Sequence, residues 1–125
     1  MTKSLVTGGA GFIGSNLVDL LVKKKHKVIV LDNFSTGRRS NLSHQNKKNL
    51  KVIKIDITNS KNLDKHFVGV DYVFHFAGIA DIVPSIENPN KYFNSNVVGT
   101  LNVIQAAKKV NIKKFIYAAS ASCYG

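Results

Sequence analysis

A glycine-rich turn in the sequence TGGAGFIG, from Thr7 to Gly14, constrains the fold of this chain more than any other feature. A short apolar stretch before the turn predicts a β-strand, and the amphipathic segment after it, Ser15 to Val22, predicts a helix. Two overlapping spacings fit the turn, G-x-x-G-x-x-G and G-x-G-x-x-G, and their glycines are Gly8, Gly9, Gly11 and Gly14. Such a turn lets a pyrophosphate approach the backbone at the N-terminus of a helix. The sequence therefore predicts a dinucleotide-binding turn.

An acidic residue at the end of the next predicted strand strengthens this interpretation. Asp32 closes the β-branched run from Lys27 to Leu31 and lies 18 positions after Gly14. A carboxylate at this place accepts both hydroxyls of the adenosine ribose and repels a 2′-phosphate, so the cofactor predicted is NAD rather than NADP. Arg38 and Arg39 offer an alternative site for that phosphate, but we interpret them as solvated loop cations.

Strand and helix patterns alternate along the rest of the chain. Further strands are predicted at 51–55, 70–76 and 115–119, helices at 58–67 and 91–110, a short helix within 40–50, and a loop or short turn at 84–89. The helix at 58–67 has Thr58 or Ser60 as its N-cap. The helix at 91–110 presents an apolar face formed by Phe93, Val97, Leu101 and Ile104. This alternation predicts an α/β fold, a Rossmann-type doubly wound parallel sheet of order 3-2-1-4-5, with its ligand at the carboxyl ends of the strands.

Composition limits the function classes. A length of 125 residues predicts one domain, residues 1–125, without a signal peptide or a membrane span. The lone Cys123 favours a reducing compartment, so we expect a cytoplasmic protein. The net charge of +11 comes from lysines at the ends of elements, which favours a solvated surface over nucleic-acid binding. His26, His44 and His66 have no partners at metal-ligand spacing, so no metal is predicted, and His75 is interpreted as a packed residue without a chemical role.

Five segments in order resemble the extended short-chain dehydrogenase/reductase family, in its nucleotide-sugar epimerase/dehydratase branch. They are TGGAGFIGSNL, LDNFSTG, the pair Asp56-Ile57, HFAG, and NVVGT followed by FIYAASASCYG. The segments DNFSTG and IVPSIENP are most similar to 4-epimerases of UDP-glucose or UDP-N-acetylglucosamine. The resemblance implies a UDP-sugar substrate and a homodimer for the full-length relative.

The resemblance also assigns NAD-binding roles. The residues at the pyrophosphate would be Gly8, Gly11, Phe12, Ile13 and Gly14, and those around the adenosine ribose would be Asp32, Asn33, Phe34, Ser35, Thr36 and Gly37. Asp56 and Ile57 would lie beside adenine, and the path to the nicotinamide ribose would be lined by Phe76, Ala77, Gly78 and Ala80. Ser95 and Asn96 would lie on the helix behind the site.

The catalytic residues implied by the resemblance are only partly present. Ser120 matches the serine or threonine that hydrogen-bonds the reacting sugar hydroxyl, but no tyrosine is followed four positions later by lysine. We therefore expect the N-terminal part of an epimerase, a truncation or a fragment, inactive alone. The alternatives are a non-catalytic dinucleotide-binding module, the N-terminal part of a nucleotide-sugar dehydratase or reductase, and an RNA-binding protein, for which Phe34 and Tyr92 are too isolated.

Overall fold

Five parallel strands form one sheet in the order β3-β2-β1-β4-β5 in the computed structural model of the chain, as predicted. The strands are β1 (Lys3–Thr7), β2 (Lys27–Asp32), β3 (Leu50–Lys54), β4 (Tyr72–His75) and β5 (Lys114–Tyr117). The order reverses between β1 and β4, so their carboxyl ends part there and leave room for a ligand. The structure describes residues 1–45 and 48–125, without the side chain of Ser60.

Helices and short turns connect the strands. They are α1 (Phe12–Lys23), α2 (Asp64–Phe67), α3 (Ile82–Glu87), α4 (Pro89–Phe93) and α5 (Gly99–Lys108), with a π-helical turn at Asn94–Val98 and 3₁₀ turns at Arg39–Leu42, Ser60–Asn62 and Ala121–Tyr124. No helix in the described part of the chain is long and apolar enough to cross a membrane.

Three predicted segments differ from the structure. The helix predicted at 58–67 is a 3₁₀ turn followed by α2, and α2 starts without a side-chain cap. The reason is that the amide and hydroxyl of Thr58 both donate to the Asp56 carboxylate, at 2.9 and 2.8 Å, and form a turn there. The side chain of Ser60, the other predicted cap, lies outside the described residues. The short helix predicted within 40–50 is the 3₁₀ turn at Arg39–Leu42, and Asn46 and Lys47 lie outside the described residues.

The loop predicted at 84–89 is wrong, because α3 and the start of α4 occupy it. Pro84 lies in the first turn of α3, where its missing N–H has no intrahelical partner to lose. Pro89 begins α4, and the Asn88 side chain caps this helix by accepting from the Lys91 amide at 3.2 Å. Both prolines therefore begin helices rather than a loop.

The sheet has a hydrophobic core on each face. Leu5, Leu31 and Val73 pack on one face against α2 and α5, whereas Val6 and Val30 pack on the other against α1. Neighbours along a strand thus face opposite layers, as expected for a parallel sheet covered on both sides.

The apolar face predicted on the last helix does not pack against the sheet. The buried residues of α5 are Gly99, Val103, Ala106 and Ala107, whereas Phe93, Val97, Leu101 and Ile104 are 41–57% exposed. Close packing explains the choice of small residues, because a Cβ on Gly99 would lie 2.8 Å from the Ile57 side chain. The residues of the predicted apolar face are thus exposed, and Gly99, Val103 and two alanines contact the core instead.

Candidate functional site

A cleft of about 430 Å³ opens at the carboxyl ends of the strands, beside the reversal between β1 and β4. Its lining includes every residue predicted to bind the cofactor except Phe34 and Asn96. Four further lining residues were missed: Leu31, Ile55 and Ile79, which each adjoin a predicted residue, and Ala118, which lies in the last predicted strand. The fold thus brings the predicted set together, and contact with a ligand stays a prediction.

Gly8 and Gly14 are required by the turn itself. Gly8 has a φ of +67°, and a Cβ there would lie 2.7 Å from the Ala77 amide nitrogen. A Cβ on Gly14 would collide with the carbonyl oxygen of Gly8 and lie 2.8 Å from Cα of Gly9. These two glycines let β1, α1 and the loop after β4 approach one another closely.

Gly11 is less crowded than the other two glycines. It is the N-cap of α1 with an extended backbone, φ −75° and ψ 177°, and a Cβ there would contact only the Gly8 carbonyl oxygen, at 3.3 Å. The first turn of α1 has no side-chain cap and no acidic residue. The free N–H groups and the positive end of the helix dipole are therefore available to an anion in the cleft.

Asp32 is buried, and it holds the turn in place. One carboxylate oxygen accepts from the Ala10 amide at 2.9 Å, and the other accepts from the Phe34 amide at 2.8 Å. A carboxylate has about four acceptor positions, so capacity remains for ribose hydroxyls. This second role of Asp32, which joins the glycine turn to the loop after β2, was not predicted from the sequence.

The loop after β2 explains why Phe34 lies outside the cleft. Phe34 adopts a left-handed backbone with φ +58°, and the Arg39 guanidinium lies 4.3 Å from its ring centroid. This is a cation–π contact. Arg39 therefore has a partner within the loop, and the Arg38 amide donates to the Ala10 carbonyl at 3.0 Å.

Asp56 and Ile57 form the far end of the cleft. Asp56 is exposed and closes the turn with Thr58, whereas Ile57 is buried against Gly99. The Asn102 amide donates to the carbonyl oxygen of Ile57 at 2.9 Å. Helix α5 thereby fixes the segment that was predicted to flank adenine.

Buried His75, at the end of β4, connects β1 to α5 through hydrogen bonds at the switch point. Its Nδ1 lies 2.6 Å from the Thr7 hydroxyl and its Nε2 lies 2.8 Å from the Thr100 hydroxyl. The Thr100 hydroxyl donates to the Asn96 carbonyl at 2.6 Å, so it accepts from Nε2–H, and Nδ1 accepts from Thr7. These partners assign the neutral Nε2–H tautomer. Burial lowers the pKa of His75 from 6.5 to about 4, which keeps the ring uncharged at neutral pH.

Asn96 extends these hydrogen bonds to the loop after β4. Its side chain accepts from the Ile79 amide at 2.9 Å and donates to the Ile79 carbonyl at 2.8 Å. Asn96 therefore holds the loop from behind, in agreement with its predicted place on the helix, rather than lining the cleft.

A second cavity of about 530 Å³ adjoins the cleft and shares its Phe76–Ala80 loop. Ser120 lines it together with Asn96, Thr100 and Tyr117. The Ser120 side chain accepts from the Ser122 amide at 3.2 Å, so its hydroxyl proton remains available to donate. Among the residues that the structure describes, no three His, Cys, Asp or Glu side chains cluster as metal ligands.

Comparison with known proteins decides the family. The family model described as "NAD dependent epimerase/dehydratase family" matches residues 4–125. The chain belongs to this family. The cofactor prediction is thus confirmed at the level of the family, which is NAD dependent, and so is the predicted epimerase/dehydratase branch.

Individual relatives agree with this assignment. The chain is 35% identical to a UDP-glucose 4-epimerase of Klebsiella pneumoniae, covering 98% of this chain and 92% of that sequence. It is 39% identical to the bifunctional UDP-glucose 4-epimerase and UDP-xylose 4-epimerase 1 of Pisum sativum, and 42% identical to UDP-glucuronic acid decarboxylase 4 of Arabidopsis thaliana. These two matches span 98% and 97% of this chain, but only 38% and 26% of the length of those relatives.

Solved structures share the fold. A UDP-N-acetylglucosamine 4-epimerase from Methanobrevibacter ruminantium, in complex with UDP-N-acetylmuramic acid, is 40% identical with a TM-score of 0.92, over 99% of this chain and 39% of that one. A UDP-glucose 4-epimerase from Thermus thermophilus, in complex with NAD, is 34% identical with a TM-score of 0.77, over 86% of this chain and 34% of that one.

Proposed function

We propose that this chain is the NAD-binding part of a nucleotide-sugar 4-epimerase that acts on UDP-hexoses. One observation carries the proposal: the glycine turn, the uncapped N-terminus of α1 and Asp32 all border a single cleft at the switch point of the sheet. Relatives named as epimerases and the adjoining cavity that contains Ser120 support the substrate class.

The residues of the cleft fit NAD, because Gly11 leaves open the space that a side chain would fill and the first turn of α1 carries no competing acid. The α1 amides would hold the diphosphate, and the lone pairs left on Asp32 would accept the ribose hydroxyls. Asp56 and Ile57 would flank adenine, and the Phe76–Ala80 loop would border the nicotinamide ribose. Bound NAD supplies a hydride acceptor for oxidation of the sugar.

The Ser120 hydroxyl would hydrogen-bond the reacting sugar hydroxyl in the adjoining cavity. Proton removal needs a base, and the sequence has no tyrosine with a lysine four positions later. The 125-residue chain alone is therefore expected to show no turnover of UDP-galactose or UDP-N-acetylgalactosamine. Assays for the two products, UDP-glucose and UDP-N-acetylglucosamine, check this, and clear turnover by the purified chain would contradict it.

A family member of the dehydratase, reductase or decarboxylase type is the second candidate, because one close relative is named as a decarboxylase. A non-catalytic dinucleotide-binding module is the third. The cleft accounts for NAD binding in all three candidates, and the relatives named as 4-epimerases favour the first. Only the first candidate predicts that a longer chain containing the tyrosine and lysine inverts a UDP-hexose at C4. A cytoplasmic location also stays a proposal, supported by the single cysteine, Cys123.

Calorimetric titration with NAD and NADP tests the cofactor site, and NAD should bind more tightly. Gly11→Val should abolish NAD binding because its branched side chain occupies the space of the diphosphate. The extended backbone of Gly11 accepts any L residue, so the fold should persist. Gly11→Ala is the matched control, with intermediate affinity. Near-normal NAD binding by a folded Gly11→Val variant would place the phosphates elsewhere.

The homodimer implied by the resemblance also stays a proposal. Phe93, Val97, Leu101 and Ile104 form one exposed apolar face along α4 and α5, and such faces are typical of interfaces. Sedimentation equilibrium of the chain at several concentrations is the direct test.

A further inference from the structure

A depression of about 260 Å³ lies at the amino ends of the strands, across the sheet from the dinucleotide cleft. Five lysines and one histidine line it, from β1, β2, the loop before β3, β3 and α2. We call it the basic depression, and its charged residues are Lys3, Lys27, Lys48, Lys51, Lys65 and His66.

The sheet register brings three of these lysines together. Lys3 pairs directly with Lys27, and Lys51 pairs with Ile29, two positions after Lys27. Because paired residues and residues two apart point to the same side, all three lysines lie on the face that Ile29 shares with the core under α2. Like charges directly opposite each other destabilise a sheet, so this arrangement works against the fold.

Helix α2 completes the depression from above the sheet. Phe67 packs into the core, and the neighbouring Lys65 and His66 then reach the rim. The Lys3 ammonium donates to the Val68 carbonyl at 2.6 Å and is thereby fixed beside the end of α2. The cations therefore converge from separate segments through tertiary packing.

The two carboxylates that lie near Lys65 and Lys3 pair with lysines outside the basic depression. Asp64, the residue before Lys65, pairs with Lys109 at 2.6 Å, and Asp71, which accepts from the Lys3 amide, pairs with Lys113 at 3.0 Å. No Asp or Glu lines the basic depression among the described residues. Partial burial lowers the pKa of His66 most, and the charges of Lys65 and Lys51 lower it further.

We propose that the basic depression binds a small multivalent oxyanion of the phosphate class, with at least two phosphate groups. Lysine ammonium groups are point charges that suit phosphate oxygens, and several of them on one concave surface favour a ligand with more than one negative charge. The small volume suits a compact anion rather than a nucleic-acid duplex. This site is separate from the cleft, because it lies at the opposite edge of the sheet.

Titration of pyrophosphate into the intact chain tests the proposal, at constant ionic strength and with saturating NAD present. The expected result is one saturable site. In the double variant Lys27→Gln/Lys51→Gln its affinity should fall at least tenfold, while NAD affinity stays unchanged. The matched control is Lys91→Gln/Lys108→Gln, which removes the same charge from exposed helix positions and should change pyrophosphate affinity less than twofold.

Four outcomes would overturn the proposal. The first is the absence of saturable binding. The second is an equal loss in both double variants, which would indicate net charge only. The third is loss in Gly11→Val but not in Lys27→Gln/Lys51→Gln, which would place the anion in the cleft. Displacement of pyrophosphate by a single-stranded oligonucleotide with a steep salt dependence would identify a nucleic acid instead, and would likewise overturn it. Failure of NAD to bind would affect only the proposed function, because the variants still localise pyrophosphate.

Discussion

The two sides of the dinucleotide cleft are stabilised by different interactions. On the glycine-turn side, β1 and β2 are buried over nearly their whole length, and α1 packs closely on them. On the opposite side, no residue of β5 is fully buried, and the hydrogen bonds of His75 and Asn96 join β4 to β1 and to the helix. Close backbone packing shapes one side, and directional polar contacts between distant residues shape the other.

The two sides of the cleft should therefore respond to different kinds of substitution. The glycine-turn side should respond to added atoms, because backbone groups already touch where Gly8 and Gly14 lie. The opposite side should respond to protonation and to loss of polar partners, because a buried hydrogen-bonded group is costly to leave unpaired.

The largest effect is expected for Gly14→Ala on the glycine-turn side. Its Cβ would collide with the Gly8 carbonyl, so the free energy of unfolding should fall by about 3 kcal/mol. Alanine otherwise favours a helix over glycine by about 1 kcal/mol, so the loss would come from the collision. Urea unfolding measures it, with Gly11→Ala as the control that changes stability by less than about 1 kcal/mol. Equal stability of the two variants would mean that the turn has room to relax.

The pH dependence of the free energy of unfolding tests the side of the cleft that contains His75. The pKa of His75 is about 4 in the folded chain and 6.5 in an exposed imidazole, so the unfolded state binds an extra proton between these pH values. The contribution of His75 is complete above pH 6.5 and is lost as the pH falls to about 4. The total loss is about 3 kcal/mol.

Unfolding of His75→Gln at stepped pH isolates this effect, because the variant should lose most of the slope between pH 6.5 and 5. His66→Gln is the matched control. The pKa of His66 is also lowered, by partial burial and two lysines, so this variant should lose part of the slope but less than His75→Gln does. Parallel curves for wild type and His75→Gln would contradict the assignment of a neutral buried ring.

Asp32→Ala tests the residue that holds the glycine turn and that is also proposed to bind the adenosine ribose. NAD affinity should fall by about 1.5–3 kcal/mol, because charge-assisted hydrogen bonds to the ribose are lost. Loss of the hydrogen bonds to Ala10 and Phe34 should weaken the binding of both NAD and NADP. Loss of the negative charge should strengthen the binding of NADP alone, because it removes repulsion of the 2′-phosphate. The ratio of NADP to NAD affinity is therefore the informative measurement, and Glu87→Ala, which removes an exposed carboxylate outside the cleft lining, should leave it unchanged. An unchanged ratio in Asp32→Ala would show that this carboxylate does not select the cofactor.

The smallest change in monomer stability is expected on the outer face of the helix. Leu101→Lys should alter the unfolding free energy by less than about 0.5 kcal/mol, because Leu101 is 51% exposed. The same substitution should abolish self-association in sedimentation equilibrium. The control is Leu20→Lys on α1, where the side chain is 47% exposed outside this face. Identical association of the two variants would exclude the face from the interface.

The alternation of elements, the strand order and the glycine turn with Asp32 could all be predicted from the sequence. These depend on short-range patterns: side-chain period, glycine spacing and a carboxylate at the end of a strand. Three features could be learned only from the structure. Helix α5 contacts the core through Gly99, Val103 and two alanines, Asp32 also holds the turn, and Thr7 and Thr100 fix the tautomer of His75. The physical reason is distance along the chain. When a helix has apolar residues on two faces, the face that packs on the core depends on how closely the neighbouring layer approaches. A hydrogen bond between residues 68 positions apart produces no periodic pattern in the sequence.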